Sequence, residues 1–353
     1  PGFVAVYLQD RTRPGIFLPA TVYGVGNDPA SMAIRDLDGD GKADIVTANA
    51  ILSANGAGAS TVSVLLQDPV KPGQFLPAAS YATGFNPSSV AIGDLNGDGR
   101  PDLAVADASG ISLLFQNPAA PGTFRPRTPA NVGAPASSVS IADLNGDGKL
   151  DLVVTNAISV RVSLQDSQTA GSFLAPASYG AGAQPIDAAV GDLDGNGRPD
   201  IAVANLGSPS DPSNASVSVL LQNPALAGSF GSAVNYATAF RSQDVAIADL
   251  NGDGKADLAV ANSGTLGGIW PPSCGSTASG VSVLLQNPAV PGQFLSAANY
   301  PATGSDFVLS VAIGDMNGDG KPDLVIAQDG GVVVRFQDPL HPGQFQGAIA
   351  VPN

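Results

Sequence analysis

Along the chain, hydrophobic residues fall in short runs that alternate with small or polar residues, and clusters of Gly, Pro, Asn and Asp separate the runs. Period-two alternation bounded by turn formers predicts strands, and there is no long stripe of helical spacing to predict helices. A typical unit opens with a short strand, Ser89-Val90-Ala91-Ile92, crosses an Asp-rich loop and returns as Leu103-Ala104-Val105-Ala106, which reads as a hairpin. A third strand follows, such as Val281-Ser282-Val283-Leu284-Leu285-Gln286. A turn of the form QNPxxPGxF then leads to a weaker fourth strand near Tyr300.

The unit recurs. The loop strings are DLDGDGKADIV, DLNGDGRPDLAV, DLNGDGKLDLVV, DLDGNGRPDIAV, DLNGDGKADLAV and DMNGDGKPDLVI, starting at 36, 94, 143, 192, 249 and 315 with spacings of 58, 49, 49, 57 and 66. A period near 50 residues predicts a propeller or a solenoid, and four antiparallel strands per repeat favour the propeller. The expected fold is all-β, a β-propeller of four-stranded antiparallel blades forming a single domain over 1–353. The third-strand element occurs seven times, starting at 3, 62, 111, 160, 217, 281 and 332, against six Asp loops. Residues 1–24 therefore read as the outer half of a blade, and six Asp-loop blades occupy 25–353. This gives about seven blades with the N-terminal one incomplete, which an upstream continuation would complete. The alternatives are six blades plus an extra hairpin, or a half blade that pairs with another molecule, since unpaired strand edges recruit partners.

Composition sharpens this. All 30 acidic residues are Asp, there is no Glu, and 43 Gly and 29 Pro accompany a charged fraction of only 13%. Asp suits turns and short-reach oxygen ligation where Glu favours helices, so the bias points to loops organised around cations. A formal charge of -15 without a Lys/Arg cluster argues against nucleic acid and anionic membranes as partners. No apolar run is long enough to span a bilayer. The chain begins at Pro1 without Met or leader, as expected of a processed or trimmed product, and the single Cys274 allows no internal disulfide.

In the second loop Asp94, Asn96 and Asp98 place side-chain oxygens at positions 1, 3 and 5, Arg100 offers its carbonyl at 7, and Asp102 closes the set at 9. The corresponding sets are Asp36, Asp38, Asp40, Lys42 and Asp44; Asp143, Asn145, Asp147, Lys149 and Asp151; and Asp192, Asp194, Asn196, Arg198 and Asp200. The last two are Asp249, Asn251, Asp253, Lys255 and Asp257, and Asp315, Asn317, Asp319, Lys321 and Asp323. Gly fills positions 4 and 6 in every copy, where a sharp turn is needed. One such string reads equally as an Asx-rich hairpin turn. Six in register, holding nineteen of the 30 Asp, predict about six Ca²⁺, because crowded carboxylates repel without a cation and calcium accepts hard oxygens. An EF-hand is excluded by the lack of Glu at position 12 and by the strand-like flanks.

These loops with their following strands resemble the FG-GAP and VCBS repeats of integrin α-subunit propellers and of bacterial secreted proteins, over essentially the whole chain. The FG and GAP tripeptides are eroded, with Phe75-Leu76-Pro77 in a corresponding place. The resemblance implies a propeller of about seven blades, calcium in the first hairpin of each motif-bearing blade, and a secreted or cell-surface role in recognition or adhesion.

The metal loops are expected to share a face with the QNPxxPGxF turns. The long insertions at 49–61, 205–216 and 262–280 would gather on the opposite face, where recognition loops for a glycan or protein belong. Trp270 in the longest insertion is a candidate for stacking on a sugar or anchoring a partner, or else pins its own loop. Asp187 and Asp244, five residues ahead of their loops where other blades carry Ser31, Ser89, Ser138 and Ser310, are candidates to ring a central channel on that face, or else cap turns. Asn214-Ala215-Ser216 is a formal glycosylation sequon. An enzyme is not expected: the only histidine, His341, lies in a turn whose sister copies carry Val, Ala or Arg, and no pair among the other Asp is marked for glycosidase chemistry. The expected function is a calcium-stabilised binding or adhesion module. The alternatives are a subunit of an extracellular assembly joined through the half blade and, behind it, a polysaccharide-active enzyme.

Overall fold

A computed structural model describes residues 2–50, 60–208, 211, 214–264, 279–302 and 307–351, and every regular element in it is a strand. β1 (Gly2–Val6) and β2 (Thr21–Val25) form a two-stranded antiparallel sheet. Six four-stranded sheets follow, each in chain order. Blade 1 is β3 (Pro29–Arg35), β4 (Asp44–Asn49), β5 (Thr61–Leu65) and β6 (Ala79–Ala82); blade 2 is β7 (Ser89–Gly93), β8 (Asp102–Asp107), β9 (Gly110–Leu114) and β10 (Thr128–Ala130). Blade 3 is β11 (Ser138–Ala142), β12 (Asp151–Thr155), β13 (Val160–Ser163) and β14 (Ala177–Tyr179); blade 4 is β15 (Pro185–Gly191), β16 (Asp200–Asn205), β17 (Ser216–Leu220) and β18 (Val234–Ala237). Blade 5 is β19 (Ser242–Ala248), β20 (Asp257–Asn262), β21 (Gly280–Leu284) and β22 (Ala298–Pro301); blade 6 is β23 (Val308–Gly314), β24 (Asp323–Gln328), β25 (Gly331–Arg335) and β26 (Ile349–Ala350). The fold is an all-β propeller of six four-stranded blades, and the seventh third-strand copy is the start of an additional hairpin.

Two compact units divide the chain. One holds Pro1–Leu8, Ala20–Asn156 and Val160–Ser178, hence β1, β2 and nearly all of blades 1 to 3. The other holds Gln9–Pro19, Ala157–Ser159 and Tyr179–Asn353, hence blades 4 to 6 and the turn of the N-terminal hairpin.

Within each unit, blades stack face to face, so the second and third strands are covered on both sides. Their sequences are therefore continuous runs of small and β-branched residues, and β4, β8, β16 and β20 are buried throughout. In the first unit Val46, Val62 and Val64 pack against Val90, Leu103 and Val105 of the next blade. In the second, Val217 and Val219 meet Val245 and Val260, and Val281 and Val283 meet Val311 and Ile326. Each such valine contributes about 1.5–3 kcal/mol. Fourth strands keep exposed positions and contribute a tyrosine that meets, edge to face, a phenylalanine from the next blade's last turn. Examples are Tyr81 with Phe124 at 5.5 Å and Tyr236 with Phe294 at 5.5 Å.

A glutamine links successive blades. Gln165, 4% exposed, donates from Nε2 to Leu95 O in the preceding blade at 2.8 Å and to Leu150 O in its own at 3.2 Å. Gln116 reaches Leu37 O, Gln286 reaches Leu193 O, and Gln337 reaches Leu250 O in the same way. Gln67 of blade 1 reaches Ala43 O of its own blade at 3.1 Å. Substituting Gln165→Leu therefore strands a buried carbonyl and is expected to lower unfolding free energy by about 1–3 kcal/mol, against less than about 1 kcal/mol for Gln67→Leu, measured by urea denaturation. Equal losses would remove the cross-blade role.

Candidate metal centre

Each Asp loop is clamped by its hairpin register. The β7–β8 ladder ends at the pair Gly93 and Asp102, and the β3–β4 ladder at Arg35 and Asp44, so position 9 is the first residue of the second strand. Between these ends the loop curls onto its own acidic side chains. Asp94 accepts the Gly97 N–H on Oδ1 at 2.7 Å and the Gly99 N–H on Oδ2 at 2.8 Å. Asn96 accepts the Asp98 N–H at 2.9 Å, and Asp98 accepts the Arg100 N–H at 3.0 Å. The same bonds recur around Asp36, Asp143, Asp192, Asp249 and Asp315. The glycines are needed for conformation and not for space: Gly97 and Gly99 have φ of 77° and 80°, and a Cβ at either would meet nothing within 4 Å.

In the two loops with Asp at position 3, carboxylates converge closely. Oxygens of Asp36, Asp38 and Asp40 lie within 4.8 Å of one another, as do those of Asp192, Asp194 and Asp200, and such groups can hold a metal ion. Where Asn occupies position 3 it contributes an amide oxygen, and Asn145 and Asn317 donate to Asp147 and Asp319 at 3.3 Å. Position 7 side chains mostly turn outward. Arg198 bonds Pro224 O at 2.7 Å, Lys255 bonds Pro288 O at 3.2 Å and Lys321 bonds Pro339 O at 3.1 Å, all in the last turn of their own blade. Lys42 and Arg100 instead pair with Asp40 at 2.5 Å and Asp98 at 3.6 Å.

Position 9 differs from the rest of the set because it is buried. Asp102 accepts the Leu95 N–H at 3.0 Å and the Gln116 N–H at 2.8 Å, joining the loop to the end of the third strand. Asp44, Asp151, Asp200, Asp257 and Asp323 make both bonds with their own Leu or Met and Gln. These bonds hold each Asp loop at the same end of its blade as the turn between the third and fourth strands. Burial pushes the carboxyls of Asp102, Asp151, Asp200 and Asp257 up from the ordinary 3.8 to about 6, outweighing the N–H donors that favour the ionised form. Asp44 and Asp323 shift upward for the same reason. A carboxylate has about four acceptor sites, so two bonds leave room for a cation. The whole donor set is oxygen, which fits a hard divalent ion.

The other candidates fall outside these loops. Asp187 accepts the Val245 N–H at 3.3 Å, and Asp244 accepts the Ser310 hydroxyl at 2.6 Å and the Val311 N–H at 2.9 Å, so both tie their first strand to that of the next blade. Trp270 and Cys274 lie outside the described residues. His341 is 60% exposed and sits 3.0 Å from Asp338 within its turn. Sequence reasoning overlooked the glutamine and the dual bonding of position 9. The available signal was a Gln closing all seven third strands, at 9, 67, 116, 165, 222, 286 and 337.

The raised carboxyls set the pH response of metal-free protein. A folded-state pKa above the unfolded one contributes stability that is complete below about 3.8 and is lost as pH rises through about 6. In chelator, Tm is expected to be higher near about pH 5 than near about pH 7.5 by thermal scanning. A Tm that rises toward neutrality would contradict the burial of these groups.

The FG-GAP-like repeat profile matches residues 50–105, 94–154, 143–203 and 273–345, and the FG-GAP repeat profile matches 29–65 and 243–273. No curated protein matches the chain significantly. Among solved structures, it is similar to an Agrocybe aegerita lectin described for specific recognition of non-reducing terminal N-acetylglucosamine (19% identity, 99% of this chain, 90% of that one, TM-score 0.58). It is also similar to a putative 6-phosphogluconolactonase from Bacteroides uniformis (16% identity, 94% and 89% covered, TM-score 0.60) and to BBS1N in complex with ARL6DN (16% identity, 99% and 87% covered, TM-score 0.53). At these identities the solved structures support the fold alone. The repeat profiles cover most of the sequence, including the Asp loops, and the chain belongs to the FG-GAP-like repeat family.

Proposed function

We propose that this chain is a calcium-stabilised extracellular binding module, without catalytic activity of its own, that recognises a glycan or a protein. The observation that carries the reading is the position 9 carboxylate. It bonds the Asp loop to the third strand in all six blades, so a cation held there would fasten first hairpin to outer strands and serve the scaffold. Residues at positions 1, 3, 5 and 9 with the position 7 carbonyl would hold each ion. Bound calcium would supply charge neutralisation among carboxylates that otherwise repel: six divalent ions add 12 charges and bring the formal -15 to -3.

Ligand recognition then belongs to the other ends of the blades, where the insertions at 49–61, 205–216 and 262–280 vary in length on a repeated frame. Propellers of similar fold support this use, one being a lectin for terminal N-acetylglucosamine and another being bound to ARL6DN. His341, exposed and paired only within its own turn, gives no support to a histidine-based reaction.

Calcium titration is expected to give about six sites, and EGTA to lower Tm at neutral pH, because the unfolded chain binds the ion poorly. Retention of a glycan on a calcium-replete array would identify the ligand class. An unchanged Tm in EGTA would refute the structural calcium. If calcium binds and neither a glycan array nor a protein-ligand screen yields a specific partner, the recognition reading fails on its own.

A further inference from the structure

The N-terminal hairpin differs from every blade in one respect: its third-strand equivalent has a second edge with no strand on it among the described residues. By alignment of Gln9 with Gln67, β1 corresponds to β5. β5, β9, β17 and β21 pair on both edges and are buried along nearly all their length, whereas β1 pairs only with β2 and carries Phe3 at 62% exposure. Its residues, Gly2–Val6, include no charge and no proline, the devices that usually protect an edge strand. A concavity of about 530 Å³ lined by Gly2, Phe3, Asn27, Asp28 and Pro29 opens beside it.

Blade 1 shows the same edge from its own side. Met32 is 52% exposed, although its equivalents Val90, Val139, Ala188, Val245 and Val311 are all 7% exposed or less. Those residues are covered by the first hairpin of the preceding blade. There a Ser or Asp accepts the backbone N–H, as Ser31 does for Val90 and Ser89 does for Val139. Ile34 is 59% exposed, and Gln67 bonds only the carbonyl of its own blade where its counterparts also reach the preceding Asp loop. β1, Met32, Ile34 and Gln67 belong to one compact unit.

We infer that β1 and the adjoining face of β3 form a docking site for a β-hairpin of the first-and-second-strand type, carried by a second polypeptide. Three groups define the occupant. A strand of alternating small apolar residues extends the β1 sheet and covers Met32 and Ile34. A Ser or Asp five residues before its Asp loop accepts the Met32 N–H, and the carbonyl at loop position 2 accepts from Gln67. Addition of a strand to an exposed edge is an established mode of peptide recognition. This inference does not depend on the calcium or glycan reading, since its recognition groups are a strand edge, an apolar face and a glutamine.

The test uses the full chain and a synthetic peptide with the sequence of residues 243–263, which carries Asp244, Leu250 and Asp257 in the required places. Fluorescence anisotropy is expected to show saturable one-to-one binding, with hydrogen-exchange protection gained at residues 2–6 and 31–35. Met32→Asp and Ile34→Asp change exposed side chains and leave Tm unaltered, yet each is expected to weaken peptide binding at least about tenfold by burying a charge. No saturation up to about millimolar peptide, the range in which a weak complex is still measurable, would overturn the proposal. So would protection elsewhere, as when the peptide displaces β19 and β20, or unchanged affinity in both variants. A dimer of the peptide-free chain abolished by Met32→Asp would equally overturn it, because the occupant would then be a second copy.

Discussion

The structure depends on one buried carboxylate per blade. Asp102 and its five equivalents sit at the junction of the Asp loop, the second strand and the exit of the third strand, and each is fixed by two backbone N–H donors. Without that acceptor the Leu at position 2 and the Gln at the strand exit would each leave a buried donor unsatisfied. The Gln side chain then carries the constraint to the preceding blade in the described pairs, and the Val faces and Tyr–Phe contacts add area to a register already defined. The ionised form is costly at this position, which is why the loop's cation chemistry and the blade's stability are aspects of one site.

Much of this was legible in the sequence. Alternating runs and the repeated Asp loop define the hairpins, the four-strand unit and the surplus N-terminal pair, because a period of two and a glycine at positive φ leave a trace in residue type. Burial leaves a weaker one. Asp94 and Asp102 are the same letter in the same motif, yet one caps an exposed turn and the other is inaccessible, a difference created by the third strand folding over the loop. The same applies to Asp187 and Asp244, candidates for lining a channel that the structure places in bonds to the neighbouring first strand. Met32 reads as an ordinary strand residue, and only comparison with the buried Val90 and Val139 exposes its difference.

The turn-forming and cation-binding readings of the loops describe one geometry. Backbone N–H groups of Gly97, Asp98 and Gly99 point inward to the acidic oxygens, which draws positions 1, 3 and 5 together. A hard ion would use the remaining lone pairs of those oxygens. The loop thus has its curled backbone in place before any ion arrives, which lessens the ordering that binding must impose.

The glutamine bridges are directional. In the described pairs each blade reaches back to the loop of the blade before it, and no blade reaches forward by this bond. Damage at one loop therefore passes along the chain with a polarity: a lesion that displaces the position 2 carbonyl of blade 2 loosens blade 3, while blade 1 keeps its bridge partner intact. Wear in such an array accumulates toward the C-terminal side of the injured repeat, and the repeat just ahead of it acts as a firebreak.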